Sequence, residues 1–199
     1  MHYDIDYFEN GLETGKSCYQ NYRWLPEETL SLAMRFIDHF NLTPEDTILD
    51  YGCSKGYLVK AFRLLHRKAF GYDISPYALS CAPPEVKDFC FDYLPRRPFN
   101  FCIAKDVFEH ISLPDLQRLL TGNLNTNTLF AIIPLGDNKI YRSSINNLDP
   151  SHIVCYSEVE WMKFFGKCGW IVKDFTFSFP GLKEHHPERS HGFFTLVEV

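Results

Sequence analysis

The feature that most constrains the fold of this chain is a short apolar strand that runs directly into a glycine turn and then into a helix. The strand is Thr47-Ile48-Leu49-Asp50-Tyr51, the turn extends from Gly52 to Gly56, and apolar residues then recur at helical spacing from about 57 to 67. Such a unit creates a site where the backbone approaches a ligand closely. The dinucleotide fingerprint G-x-G-x-x-G fails, because Ser54 and Tyr57 stand at two of its glycine positions. An ordinary tight turn without a ligand is the alternative.

Strand and helix patterns alternate along most of the chain. The pattern predicts helices from Pro26 to about 40, at 57–67, 76–81, 114–121 and 157–169, and strands at 47–51, 69–73, 86–91, 99–104 and 129–134. This alternation indicates an α/β fold whose mainly parallel sheet is covered by helices on both faces. Two further strands, at 170–179 and 193–199, have no helix between them, which predicts an antiparallel hairpin at one edge.

Length and composition limit the function classes. A chain of 199 residues with 45% hydrophobic content predicts one globular domain, at 26–199, preceded by an aromatic N-terminal arm or lid at 1–25. We find no apolar run near the ~20 residues of a membrane span. The net charge of −5 disfavours a broad grip on nucleic acid. Seven cysteines without a C-x-x-C pair indicate a reducing, cytoplasmic setting.

An acidic residue, Asp73, ends the strand that follows the glycine turn. In doubly wound sheets an acid at this point accepts hydrogen bonds from a ribose hydroxyl pair, because one carboxylate accepts two such bonds. The alternative is a strand-end acid that caps the turn at Ser75-Pro76. The occurrence of Asp73 together with the glycine turn favours ribose binding.

Three segments together resemble the class I S-adenosylmethionine-dependent methyltransferases, and the resemblance covers residues 26–199. The segments are Ile48–Gly56, Gly71–Ile74 and Asp106–Ile111, the last similar to a D-V-L-E-H stretch in a broad small-molecule branch. The resemblance implies a Rossmann-like fold with a seven-stranded, mainly parallel sheet, an antiparallel C-terminal edge hairpin, and S-adenosylmethionine as cofactor. The sequence departs from the family at Ser54, where the family has its middle glycine.

The resemblance also implies a set of cofactor contacts. The residues concerned are Tyr22, Asp50, Gly52, Cys53, Gly56, Asp73, Ile74, Asp92, Tyr93 and Lys105. The glycine turn would line the methionine part of the cofactor, with Asp50 beneath its amino group. Asp73 would bind the ribose, Ile74 would lie against the adenine, and Asp92 would accept from the adenine amine.

Three of these assignments have plain structural alternatives. Asp92 could be a loop acid, Lys105 could point to solvent, and Tyr22 could belong to an aromatic strap packed on the core.

The candidate catalytic residues are His152, Asp106 and His110. Methyl transfer from a sulfonium is an in-line displacement that depends mainly on alignment, and only a hydroxyl acceptor needs a base, usually His. The spacing of Asp106, Glu109 and His110 would place all three on one helical face. These three residues resemble a group of residues that acts with a metal in some quinone O-methyltransferases, although those enzymes carry Glu at the position of Asp106. The stretch is often purely structural, and we predict no metal here or at the histidines of the 183–191 loop.

The function predicted is transfer of a methyl group from S-adenosylmethionine to an oxygen or nitrogen of a small molecule or sugar. The alternatives are a protein or RNA methyltransferase, a catalytically silent cofactor-binding partner subunit, and a nicotinamide dehydrogenase. We predict no membrane partner, and the oligomeric state stays open.

Overall fold

The computed structural model describes residues 3–198, so positions 1 and 2 of the predicted arm and position 199 of the last predicted strand lie outside the described residues. The strands are, in chain order, β1 Thr47–Tyr51, β2 Lys68–Tyr72, β3 Cys90–Phe91, β4 Phe99–Lys105, β5 Thr126–Pro134, β6 Gly136–Asp137, β7 Ile140–Tyr141, β8 Trp170–Thr176 and β9 His191–Glu198. The α-helices are α1 Ile5–Phe8, α2 Gly11–Thr14, α3 Pro26–His39, α4 Tyr57–Leu64, α5 Pro76–Ser80, α6 Leu113–Arg118 and α7 Glu158–Lys167. Across residues 3–198, a helix with the length and apolarity needed to cross a bilayer does not occur.

Seven of the strands form one sheet in the order β3-β2-β1-β4-β5-β9-β8. Neighbouring strands in the part of the sheet that contains β3, β2, β1, β4 and β5 pair in parallel. In contrast, β9 pairs antiparallel with both β5 and β8. The short strands β6 and β7 form a separate hairpin. The α/β fold, the mainly parallel seven-stranded sheet and the antiparallel edge hairpin are thus confirmed.

Both faces of the sheet are covered, which explains the unbroken apolar runs of its central strands. Successive side chains of a strand point to opposite faces, so β4 buries Phe101 against α3 and α4 and buries Cys102 on the side of α6 and α7. Phe36 of α3 and Trp161 of α7 are fully buried on these two sides. The helices cover both faces of the sheet. The carboxyl ends of the parallel strands therefore remain available for contact with loops.

One predicted strand is largely wrong. In place of a strand at 86–91, residues Lys87–Phe89 form a single 3₁₀ turn and only Cys90–Phe91 pair with β2. Val86 is buried while Lys87 and Asp88 are exposed, so the segment lies over the sheet edge and joins it only at its end.

The packing predicts that Phe130→Ala will strongly destabilise the fold. Phe130 of β5 is 2% exposed, and its ring lies 5.7 Å from the ring of Phe36 and 4.9 Å from that of Phe40. Loss of a buried phenylalanine side chain costs about 3–5 kcal/mol of unfolding free energy. Urea unfolding measures this, with Ile171→Ala in β8 as control. Since Ile171 is 52% exposed, it should cost less than about 1 kcal/mol, and equal losses would contradict the packing described.

Candidate functional site

A cavity of about 1280 Å³ lies at the carboxyl ends of the parallel strands. Its wall includes the glycine turn after β1, the end of β2, the N-terminal arm with the first turns of α3, the segment after β4, and the loop at 181–186. In open α/β sheets, ligands bind in the crevice beyond these strand ends. Its place in the fold makes this cavity the candidate active site.

The glycine turn is held by hydrogen bonds to the neighbouring strand. The carbonyl oxygen of Tyr72 accepts from the backbone N–H groups of Gly52, at 2.8 Å, and Cys53, at 2.9 Å. Gly52 has φ +83°, and a Cβ atom there would lie 2.4 Å from Cγ2 of Val107. A side chain at this position would therefore both strain the backbone and collide with Val107. Ser54 occupies the left-handed region with φ +52°, a conformation that favours glycine and accounts for the family's middle glycine there.

Two acids lie at the wall beside this turn. Asp50 is 5% exposed, and burial, reinforced by Asp73 and opposed by Lys105, raises its pKa to about 7. Asp73 accepts hydrogen bonds from the backbone N–H of Ser54, at 2.7 Å, and of Ser75, at 2.8 Å. Burial raises the pKa of Asp73, although these two hydrogen bonds act in the opposite direction. Near neutral pH, Asp50 is therefore partly protonated, and it lies near Asp73, which accepts two backbone hydrogen bonds.

Most of the predicted cofactor residues meet at this cavity. Those on its wall are Tyr22, Asp50, Gly52, Cys53, Asp73, Ile74 and Lys105. Gly56 lies behind them as the N-cap of α4, with φ +72°. Asp92 and Tyr93 follow β3 and are exposed, outside the residues that line the cavity. Their assignment to the adenine stays a prediction.

The arm is attached to the glycine turn by a lysine that the sequence analysis did not single out. Lys55 is 5% exposed, and its ammonium group pairs with Glu9 of the arm and donates to the carbonyl oxygen of Tyr22 at 2.7 Å. Tyr77 of α5 also donates to Glu9, at 3.0 Å. A lysine inside a glycine turn is usually solvated, so the sequence alone gave no signal of this contact.

Two lysines share one acid at the opposite wall. Asp106 Oδ2 accepts from Lys105 at 2.8 Å and from Lys183 at 2.6 Å. Burial opposes ionisation of Asp106, but the two lysines outweigh it and hold its pKa well below the usual range. Its other oxygen, Oδ1, is buried without a hydrogen-bond partner among residues 3–198. Lys105 lines the cavity, and its side chain is one-third exposed.

The predicted helical face at 106–110 is wrong. Asp106 has φ +55° and Phe108–His110 form one 3₁₀ turn, so the three residues do not share a helical face: Glu109 and His110 stay close together, and Asp106 is not part of that cluster. Glu109 turns into the protein and is fully buried, and burial, with Asp106 adding, raises its pKa well above the usual range. Its neighbours are the imidazoles of His110 and His152, whose Nε2 atoms each lie 3.9 Å from Oε1 of Glu109.

The two predicted catalytic histidines occupy different depths. His110 lines the cavity, whereas His152 lies behind it, with ring centroids 4.6 Å apart. Burial lowers the pKa of His110 to about 4, with His152 adding to the effect, and burial also lowers the pKa of His152. Both imidazoles are neutral near pH 7.

Comparison with curated proteins finds similarity to ribosomal protein L11 methyltransferases. The protein from Vibrio cholerae is 28% identical over 154 residues, which is 70% of this chain and 50% of that protein. The chain therefore spans about half the length of the curated relatives it matches. No family model matches the chain.

Solved structures with similar folds are methyltransferases as well. Magnesium protoporphyrin IX methyltransferase from Synechocystis, with bound S-adenosylhomocysteine, aligns with a TM-score of 0.61 and 15% identity, over 87% of this chain and 83% of that one. The glycopeptide N-methyltransferase MtfA aligns with a TM-score of 0.62 and 13% identity, over 86% and 90%. These likenesses establish the fold.

The contacts of Lys55 predict that Lys55→Met will release the arm. The substitution keeps the aliphatic stem but leaves Glu9 without its ammonium partner, and hydrogen bonds to charged groups contribute about 1.5–3 kcal/mol. Limited proteolysis should then cut within residues 3–25 much faster than in the wild type. Lys68→Met is the control, because Lys68 lies at the start of β2 and pairs with the exposed Glu45, not with a residue of the arm. Unchanged cleavage in Lys55→Met would show that the arm is held by other contacts.

Proposed function

We propose that this chain, a class I S-adenosylmethionine-dependent methyltransferase by its fold and sequence similarity, transfers a methyl group from S-adenosylmethionine to an oxygen or nitrogen of a small-molecule acceptor. The observation that carries the proposal is the meeting of the glycine turn, Asp50 and Asp73 at one cavity wall at the carboxyl ends of β1 and β2. These are the positions where the family resemblance implies the methionine, amino and ribose contacts.

The residues present fit this cofactor. The glycine turn lines the cavity at Gly52, Cys53 and Ser54, so a ligand there can lie against its backbone. Each oxygen of Asp73 accepts one backbone hydrogen bond and keeps capacity for a further one, as a ribose hydroxyl pair requires. Asp50 lines the same wall and, in this proposal, accepts from the amino group. When bound, the cofactor supplies a methyl group activated by a positively charged sulfur.

The rest of the cavity supports a small acceptor. Beyond the turn its wall includes Tyr3, Tyr7, His110, Ile153 and Lys183, a partly aromatic surface with a few polar groups. A volume of about 1280 Å³ exceeds the roughly 300–1,000 Å³ of ordinary ligand pockets, so it accommodates a cofactor together with an acceptor. A sugar or another small hydroxyl or amine compound suits this lining.

Catalysis is proposed to rest on alignment, because an in-line displacement on an activated methyl group gains most from positioning. Of the predicted catalytic residues, Asp106 and His110 line the cavity and contact the acceptor in this proposal. His152 packs behind His110 and acts as a positioning residue.

A protein acceptor is the second candidate, favoured by the similarity to ribosomal protein L11 methyltransferases. Incubation with methyl-labelled S-adenosylmethionine and a cell extract, followed by separation of proteins from small molecules, distinguishes the two. The label should appear in the small-molecule fraction. Label confined to protein would favour the second candidate, and absence of transfer despite cofactor binding would indicate a silent partner subunit.

Calorimetric titration with S-adenosylhomocysteine tests the cofactor site through Asp73→Asn. This substitution removes the charge and one acceptor while keeping the shape, so affinity should fall about 10- to 100-fold, corresponding to about 1.5–3 kcal/mol for a charged hydrogen bond. Asp88→Asn is the matched control, since Asp88 is exposed and does not line the cavity. Absence of binding by the wild type would refute the proposal, and NADH binding instead would favour a dehydrogenase.

The raised pKa of Asp50 predicts a proton release linked to cofactor binding. With a pKa of about 7, Asp50 is mostly protonated at pH 6, and a cofactor ammonium group beside it favours the ionised carboxylate. Binding should therefore release most of a proton at pH 6 and little at pH 8. Calorimetry in buffers of different ionisation enthalpy measures the release. Asp50→Asn should abolish it, and an equal release in that variant would assign the proton to another group.

A further inference from the structure

The buried carboxylate of Glu109 lacks a hydrogen-bond partner on both of its oxygens among residues 3–198. Glu109 is 0% exposed, and its backbone carbonyl oxygen accepts from the N–H groups of Ile153, at 2.8 Å, and Val154, at 3.0 Å. These two bonds hold the 149–154 loop against the turn after β4. They bring His152 next to a carboxylate that is distant from it in the chain.

The hydrogen bonding of His152 fixes its tautomer. Nδ1 lies 2.8 Å from the carbonyl oxygen of Asn146, and a carbonyl oxygen can only accept. Nδ1 therefore carries the proton, and Nε2 of the neutral ring holds a lone pair. That Nε2 atom is the one that lies 3.9 Å from Oε1 of Glu109.

The same reasoning applies to His110. Its Nδ1 lies 3.2 Å from the carbonyl oxygen of Ser151 and 2.8 Å from the hydroxyl of the same residue. The Ser151 hydroxyl donates its only proton to Asp149, so it accepts from His110. Nδ1 of His110 is thus the protonated nitrogen, and its Nε2 lone pair also lies 3.9 Å from Glu109.

Three electron-pair donors therefore face one another in a largely buried place. The candidate ligand atoms of Glu109, His110 and His152 all lie within 4.8 Å of one another. A proton on Glu109 cannot join them, because 3.9 Å exceeds a hydrogen-bond distance. The lysines nearest in the site end at Asp106. A buried carboxylate without a partner is costly, and a divalent cation between the three donors would satisfy all of them.

The sequence alone predicts no metal at this stretch, but with His152 added by the fold we propose that Glu109, His110 and His152 form a binding site for a divalent transition metal such as Zn²⁺. Two imidazole nitrogens and one carboxylate oxygen suit zinc and its neighbours in the first transition row better than Mg²⁺, which prefers oxygen ligands. The bonds from both Nδ1–H groups to protein oxygens are the outer contacts that orient ligating histidines. Asp106 is excluded, because its Oδ2 atom is occupied by two lysines.

The site adjoins the acceptor part of the cavity through His110, which lines it. This extension rests on the proposed function: a metal held here would bind an acceptor oxygen and lower the pKa of its hydroxyl group. It would supply the activation that neutral, buried histidines of low basicity supply poorly.

The test uses the full chain freed of metal by chelation and titrated with Zn²⁺ in a calorimeter, and with Co²⁺ in an absorption spectrometer. We expect one equivalent bound per chain, with cobalt bands typical of nitrogen and oxygen ligands and without thiolate charge-transfer bands from the free cysteines. Glu109→Gln and His152→Ala each remove a ligand, so each should weaken binding by at least the roughly 10- to 100-fold that loss of an outer-shell partner costs. His185→Ala is the matched control, as an exposed histidine at the same cavity.

Thermal unfolding keeps the test valid if a variant is destabilised. Zn²⁺ should raise the midpoint of the chelated wild type and of His185→Ala, and leave that of Glu109→Gln unchanged. Absence of stoichiometric binding, or binding that survives both substitutions, would overturn the site. S-adenosylhomocysteine titration of the same samples separates the two proposals: bound cofactor without metal refutes only the metal site, and bound metal without cofactor refutes only the proposed function.

Discussion

The architecture of the site depends on the hydrogen bonds that fasten the glycine turn to the end of β2. Tyr72 holds the turn through its carbonyl oxygen, and Asp73 holds it through its carboxylate, which accepts from the N–H of Ser54. The Ser54 backbone lies in a region that costs free energy for a residue with a side chain, and this bond compensates. The acid proposed to bind the ribose thus also shapes the turn, so cofactor binding and the conformation of the turn are coupled.

Local pattern was sufficient to predict the central elements. Strands β4 and β5 are buried on both faces, and burial on both faces requires the continuous apolar runs that the sequence displays. The start of α7 was also predictable, because Ser157 and Glu160 form a capping box in which the side chain of each accepts a hydrogen bond from the backbone N–H of the other. In these places propensity, pattern and tertiary packing favour the same structure.

Prediction failed where a tertiary hydrogen bond overrides the local pattern. The spacing of polar residues after β4 favours a helix, but the N–H of Asp106 bonds to the carbonyl oxygen of Ile132 at 2.9 Å, as a continuation of the parallel ladder. The chain then reverses through a left-handed residue and one 3₁₀ turn. The contact of Lys55 with Glu9, 46 positions away, could not be predicted either, since the sequence around each residue does not specify its partner.

The two acids of the turn after β4 show how far environment, and not residue type, decides chemistry at this site. Asp106 lies against two ammonium groups and stays ionised at any ordinary pH. Glu109, on the other side of the same turn, lies beside two imidazole nitrogens and forms no ion pair with a lysine among residues 3–198, so burial favours its neutral form. The two acids of this one sequence motif therefore have different environments and different chemical properties. Asp106 pairs with both lysines at the cavity wall, and Glu109 is buried against two histidines, one of which comes from a loop distant in the chain.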